Sequence, residues 1–251
     1  MTISCLSVTQ KSRIKLFEKA VNSFSKQTFE ASKRELIIVH HDGQEFTEQL
    51  KDLMITQRID NFVISENRHL PLGELRNISV LAAGGDLLCQ WDDDDIYHRE
   101  RLRVQSYPFQ DEGIIATTLG LQIFWFPNSR EVYIRKGGKE GIHGSIMFKR
   151  DIQHTYPSMQ KKGEDTTYIC DLIKSYPVGI YRIDERPELY VRTVHGENTW
   201  PDNHHRNQIA QALDRSWLNQ REASIRQWLK EFAIDDVNVC DASGIVFSIA
   251  R

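Results

Sequence analysis

The sequence predicts an α/β fold, a mainly parallel sheet flanked by helices with a C-terminal helical extension, and three observations lead to it. Strand-like runs alternate with amphipathic helical patterns through the first half of the chain, the signature of βαβ units. The run Leu36, Ile37, Ile38, Val39 is continuously apolar and mostly β-branched, as a strand covered on both faces should be. That run and Leu87 to Trp91 both end abruptly in polar residues, and the carboxyl ends of strands are where open α/β sheets bind ligands.

Taken in order, Ile3 to Val8 is the first expected strand. From Ser12 onward Ile14, Phe17, Val21 and Phe24 recur every three or four residues, which puts one apolar helix face on the sheet. The strand Leu36 to Val39 stops at His40, His41, Asp42 and Gly43. Asn61 to Ser65 is a third strand, followed by a helix over Leu72 to Ala83 with Leu75, Ile78 and Ala82 on one face. Gly84 and Gly85 end it. After the strand Leu87 to Trp91, a helix starts near Arg99. Ile114 to Phe126, Glu131 to Arg135 and Ser145 to Phe148 read as strands, with Gly137, Gly138 and Gly141 in a flexible loop. Ile209, Leu213 and Trp217, then Ile225, Trp228 and Phe232, keep helical spacing between Asn207 and Phe232, and a short strand is expected around Ile245 to Ile249. The expected organisation is one domain over 1–200, with halves of about 1–105 and 106–200, and an extension over 201–251.

Hydrophobic residues make up 40% of the 251 and charged residues 27%, an ordinary globular balance. The formal net charge of −3 argues against nucleic acid as a partner, because a basic face would be needed to meet phosphates. No run approaches the roughly 18 to 20 apolar residues that span a bilayer, and Met1 to Cys5 lacks the basic and apolar regions of a signal peptide. A cytoplasmic protein without a membrane span is the expectation, with peripheral membrane attachment left open. Cys5, Cys89, Cys170 and Cys240 stand far apart without a Cys-x-x-Cys pair and read as buried free thiols.

The residues that point to chemistry are Asp92, Asp93, Asp94 and Asp95. Four adjacent carboxylates at the mouth of a buried strand repel one another, and a divalent cation would offset that repulsion. Oxygen ligands select magnesium or manganese, which keep positions open for water and phosphate oxygens. The alternative is a solvated acidic turn that caps the next helix.

The segment Trp91-Asp92-Asp93-Asp94-Asp95-Ile96-Tyr97, with Arg101-Leu102 downstream, resembles the Asp-x-Asp region of the family 2 glycosyltransferases with the GT-A fold. Other similarities follow in the family's order: Gln27-Thr28-Phe29, Glu35 to Gly43, Leu72-Gly73 to Arg76-Asn77, Gly163-Glu164-Asp165, and a late His-Gly-x-Asn segment at His195 to Asn198. The resemblance covers roughly Ile3 to Asn198. It implies a metal-dependent, inverting enzyme that uses Mn2+ or Mg2+ to move a sugar from a nucleotide-diphosphate donor to a hydroxyl of a glycan or other acceptor. It implies Asp94 as principal metal ligand, Asp92 and Asp93 on ribose or a second metal contact, and His195 on the metal or diphosphate. Asp42 would accept the imide proton of uracil, making the donor a UDP-sugar. The family usually has two acidic residues before the glycine, where this chain has His41 and Asp42. Thr9 would line the nucleotide pocket, Arg76 would meet the diphosphate, and Asp165 would be the catalytic base with Glu164 as the next candidate.

Read from the residues alone, Thr9 and the Glu164-Asp165 pair could equally cap helices, Arg76 could sit on a solvated helix face, and His195 could be a loop histidine bonded to backbone. His204 and His205, in the polar run Asp202 to Asn207, are expected to be exposed, and Trp125 to Gly144 and the arm from Trp200 onward are expected to shape the acceptor site. Two rival functions remain. A sugar nucleotidyltransferase would carry a glycine-rich basic loop after the first strand, but Thr9-Gln10-Lys11-Ser12-Arg13 has no glycine. A non-catalytic nucleotide-sugar-binding module would lose the metal or base residues, which are retained here.

Overall fold

Four parallel strands, which begin the chain, build the half of the sheet that matters for ligand binding. The computed structural model describes residues 1–152, 154–158 and 162–250, so Arg251, the last residue of the expected extension, lies outside the described residues. The chain runs through β1 (Ile3–Val8), α1 (Ile14–Ser25), β2 (Arg34–His40), α2 (Gln44–Thr56), β3 (Phe62–Glu66), α3 (Leu72–Ala82) and β4 (Leu87–Gln90). These strands pair in parallel in the order β4-β1-β2-β3, which brings their carboxyl ends to one edge. α2 is not among the expected elements, although Phe46, Leu50 and Met54 recur every four residues and are fully buried.

Beyond β4 come β5 (Ile96–Tyr97), α4 (Arg101–Ser106), β6 (Ala116–Leu119), β7 (Leu121–Phe126), β8 (Glu131–Lys136), β9 (Ile142–Lys149), α5 (Glu164–Ser175), β10 (Ile180–Ile183) and β11 (Tyr190–Thr193). The single strand expected from Ile114 to Phe126 is thus two, and they belong to different sheets. Gly120 stands at the break, where a Cβ would lie 2.1 Å from Asp184 Oδ1, so a side chain there would have to push the Arg182–Asp184 pair aside. The first sheet has the order β10-β6-β9-β4-β1-β2-β3, with only β9 antiparallel to its neighbours.

The chain closes with α6 (Asp202–Asn207), α7 (Arg215–Gln220), α8 (Glu222–Glu231), β12 (Val237–Asp241) and β13 (Gly244–Ile249). The expected last strand is one arm of a hairpin, and its other arm, β12, pairs in parallel with β8. The second sheet therefore runs β13-β12-β8-β7-β11-β5. Leu218, Ile225 and Leu229 of α7 and α8 cover its Ile123, Val132, Ile134 and Val191. His205 is only 3% exposed, contrary to expectation, because α6 lies against the other face of this sheet with the His205 ring edge-on to Phe124 at 6.1 Å. Among the described residues no helix is long and apolar enough to cross a membrane. All four cysteines are free, and Cys170 alone is not fully buried.

Strand alternation divides the first core. Ile3, Cys5, Leu36 and Ile38 face Phe17, Val21, Phe24, Leu50 and Met54 of α1 and α2, whereas Leu6, Ile37 and Leu88 face Tyr168, Ile169 and Leu172 of α5. Where β4 ends, Trp91 is fully buried and donates from its indole to Ala20 O at 3.1 Å. The guanidinium of Arg101, also fully buried, lies 5.2, 4.3 and 5.6 Å from the ring centroids of Trp91, Tyr97 and Tyr190. It donates to Gln90 O at 3.0 Å and Ser145 O at 3.3 Å, so an aromatic cage and two carbonyls hold the strand end that carries the aspartates.

Asn77 fastens the other wall of the future site. Its amide donates to Tyr156 O at 2.9 Å and its carbonyl oxygen accepts from Tyr156 N–H at 2.8 Å, tying α3 to the segment before α5. Asn77→Ala leaves both buried groups without partners and should lower unfolding free energy by about 1–3 kcal/mol. Urea denaturation measures this. A loss below about 0.5 kcal/mol would mean the segment is held by other contacts.

Candidate active site

The four aspartates after β4 have four different sets of partners. Asp92 Oδ1 accepts from Arg76 Nη2 and from Gln90 Nε2, each at 3.0 Å. Asp93 Oδ1 pairs with Arg13 Nη1 at 2.8 Å, in the turn that follows β1. Asp94 Oδ2 lies 3.3 Å from His195 Nε2, accepts from Asn198 Nδ2 at 3.2 Å and stands 3.5 Å from Arg13 Nη1. Asp95 turns away from the others: Oδ2 accepts from the Tyr190 hydroxyl at 2.6 Å and Oδ1 from Thr193 N–H at 3.0 Å. It is completely buried and fastens the turn to β11.

Electrostatics separates these carboxyls further. Burial, then the charge on Asp94, push Asp93 up to about 7 against the pull of Arg13. Burial opposes the charge on Asp94 too, but the His195 hydrogen bond and the charges of Arg192 and Arg13 outweigh it and hold the group down at about 2. Asp95 is pushed up to about 8, chiefly by burial.

Asp92, Asp93 and Asp94 line a cavity of about 70 Å³ together with Arg13, Arg76, Arg192, Glu164, Asp165 and Trp200. A neighbouring cavity of about 320 Å³ is lined by Thr9, Gln10, His41, Leu70 and Glu197. The two share Val8, Arg13, Leu72, Asp93 and Thr199, so they are two lobes of one cleft at the carboxyl edge of the sheet. A larger hollow of about 1040 Å³, between α1 and α8, is lined by none of the residues expected to hold nucleotide or metal or to act as base, but by Trp125, Glu231 and Phe232 from the regions expected to shape the acceptor site.

The sequence-expected residues fall around this cleft in distinct ways. Thr9 is buried beside Asp93 in the wall of the larger lobe. Asp42 is half-buried after β2, where its Oδ2 accepts from Lys11 N–H at 2.9 Å; its neighbour His41, not Asp42, lines the lobe. Arg76 reaches from α3 and donates to Asp92 and, through Nε, to Glu164 Oε1 at 3.0 Å. Glu164 is 4% exposed and committed to that pair. Asp165 lines the smaller lobe, its Oδ1 accepting from Thr166 N–H at 2.7 Å. Gly163 precedes them with φ of +76°, a left-handed conformation that side-chain-bearing residues rarely adopt, and so starts α5 at the cleft. Arg13 and Arg192 also line the cleft and are not among the expected site residues. The signal for Arg13 was its position in the first strand-to-helix loop; for Arg192, nothing local distinguishes it from a solvated strand residue.

With this geometry in place, similarity to solved structures becomes informative. TarS of S. aureus (residues 1–349) in complex with UDP-GlcNAc aligns with a TM-score of 0.63 at 18% identity, over 93% of this chain and 72% of that one. The chain has the GT-A fold. The mannosyltransferase PcManGT from Pyrobaculum calidifontis, in complex with GDP-Man and Mn2+, aligns with a TM-score of 0.60 at 13% identity, over 93% of this chain and 64% of that one. Glucosyl-3-phosphoglycerate synthase from Mycobacterium tuberculosis, in complex with Mg2+ and UDP, gives 0.54 at 17% identity, over 84% of this chain and 77% of that one. No protein-family model and no curated protein matches the sequence.

The raised Asp95 carboxyl yields a pH prediction. Its ordinary value is 3.8 and its folded value about 8, so it binds its proton more tightly when folded; that contribution is whole below about pH 4 and is lost as pH climbs to about 8. In chelator-treated protein, the wild type should lose stability relative to Asp95→Asn between pH 5 and pH 8, measured by urea unfolding at both values. An unchanging gap would mean that the Asp95 carboxyl is not raised.

Proposed function

We propose that this chain is an inverting, metal-dependent glycosyltransferase that moves a sugar from a UDP-sugar to an acceptor hydroxyl. The observation that carries the reading is that Asp165 and the Asp92–Asp94 run line the same lobe as three arginines, Arg13, Arg76 and Arg192. A carboxylate facing a cluster of cations and acids is what transfer to a hydroxyl from a diphosphate leaving group requires.

Asp94 and His195 are the protein groups suited to hold the cation. Asp94 stays charged at all but the lowest pH, and His195 Nε2 lies 3.3 Å from its Oδ2. Among the described residues no group of three or more His, Cys, Asp and Glu is gathered as a metal site, so a cation held by these two would have to take its remaining ligands from water and donor oxygens. When bound, that cation supplies positive charge against the diphosphate.

The larger lobe would take the nucleoside, with Thr9 in its wall and Asp42 beside it to accept the uracil imide proton. Asp93 would meet the ribose, and Asp92, held by Arg76, would meet it or the cation. Arg13 would neutralise the diphosphate, with the remaining donors of Arg76. The acceptor oxygen attacks the anomeric carbon opposite the leaving group, forming the new C–O bond as the bond to the phosphate oxygen breaks with its electron pair. Asp165 takes the hydroxyl proton in the same step, which inverts the anomeric configuration. Glu164, tied to Arg76, orients rather than accepts.

Two variants test this. Asp94→Ala should abolish the Mn2+-dependent part of UDP binding in calorimetry, while GDP, titrated alongside the wild type, should bind more weakly than UDP. Full Mn2+ dependence in a folded Asp94→Ala protein would remove Asp94 as a ligand. Asp165→Asn keeps the volume but cannot take the proton, so turnover should fall roughly 10²- to 10⁴-fold with little change in donor affinity. Near-normal turnover would exclude Asp165 as the base.

A further inference from the structure

A second cluster of cations adjoins the cleft and is not accounted for by the aspartates. Arg192, from β11, lines the cleft beside Asp165 and Trp200. Its Nη1 lies 3.3 Å from the Tyr190 hydroxyl and 4.0 Å from Asp95, and its Nε is buried without a hydrogen-bond partner. Arg135, from β8, stands opposite Gln122 and Arg192 opposite Phe124, so the two flank β7 at positions two residues apart; burial and then the charge of Arg192 lower Arg135 to about 10. Among the described residues Arg135 has no carboxylate within ion-pair distance; it bonds the Gln208 side chain, lies 5.0 Å from the Phe124 ring centroid, and its Nε too is buried without a partner.

Gln208 joins this cluster to the cleft, because its Nε2 lies 2.9 Å from His204 Nε2. The His204 ring stacks on Trp200 at 4.3 Å and 19°, and Lys162 Nζ lies 5.3 Å from the Trp200 centroid. Burial and then the charges of Arg192, Arg135 and Lys162 all push the His204 pKa down, so all three cations act on one place. Asp94 and Asp95 face this region from one side, and both are already engaged, by His195 and Asn198 and by Tyr190 and Thr193. Glu131, the carboxylate on the same strand as Arg135, pairs with Arg206 at 3.0 Å.

Two largely buried guanidiniums set close together, one of them with no counter-ion, repel each other, and an anion between them would remove that cost. We propose that Arg135 and Arg192, with the Trp200–His204 stack, form a subsite for an acidic acceptor, one that bears a phosphate or carboxylate near the hydroxyl to be glycosylated. This rests on reading the cleft as a glycosyltransferase site and adds the charge class of its acceptor.

Calorimetry on the full chain, saturated with UDP and Mn2+, tests it with glycerol 1-phosphate, glycerate and glycerol, which differ in the acidic group. At least one acidic probe should bind at least tenfold more tightly than glycerol, and which one does so distinguishes phosphate from carboxylate. Arg135→Gln should erase at least tenfold of that preference, and Arg135→Lys, which keeps the charge and disturbs packing least, should retain part of it. Equal binding of the three probes to the wild type, or an undiminished preference in a folded Arg135→Gln protein, overturns the proposal. UDP affinity is measured on the same samples: if UDP fails to bind, the glycosyltransferase reading falls, and the anion titration repeated without UDP still decides the role of Arg135.

Discussion

Packing four consecutive carboxylates, three of them buried, at the end of a strand is the constraint on which the rest of this molecule depends. Left alone, such a turn would be driven open by repulsion and desolvation. Here each acid meets a partner from a different part of the chain: Asp92 from α3, Asp93 from the turn after β1, Asp94 from the loop after β11, and Asp95 from β11 itself. The cleft is what these pairings enclose. Its walls are held together by the same charges that would act on a ligand.

The turn needs a rigid support, and Arg101 provides it. A cation buried among Trp91, Tyr97 and Tyr190, donating to the carbonyl of Gln90, stiffens the strand end just before the acids. From there β5 passes directly into the second sheet, where it pairs with β11. The two sheets are thus joined at the aspartates, so the parallel sheet supplies one side of the cleft and the second sheet supplies Arg192, His195 and Asn198. Arg135, two strands farther out on β8, extends the positive region beyond what the aspartates can neutralise.

Within the run, identical residues take on different roles because of their surroundings alone. Asp95 is a structural fastener with a raised pKa, Asp94 a strongly acidic group beside an imidazole, and Asp93 an intermediate held by Arg13. Arg76 is likewise less a free phosphate contact than a bridge between Asp92 and Glu164, and that bridge leaves Asp165 as the carboxylate of its pair without an arginine partner.

Periodicity and strand-end polarity in the sequence by themselves determined the parallel half of the fold, from β1 to β4, and pointed to Asp92–Asp95, while Arg76 and Glu164-Asp165 were singled out by the family resemblance alone. These are local signals: a buried strand or an amphipathic helix is encoded in its own dozen residues, and an acidic run needs an explanation wherever it occurs. Only the tertiary structure decided that the run from Ile114 to Phe126 splits at Gly120 between two sheets, that His205 is buried, and that β12 and β13 complete the second sheet. It alone also brought Arg13 and Arg192 to the cleft and Arg135 to its neighbourhood. Those outcomes depend on contacts between residues as many as 184 positions apart, as when Arg13 Nη2 donates to Glu197 O at 3.0 Å, and no local pattern records which distant charge a side chain will meet.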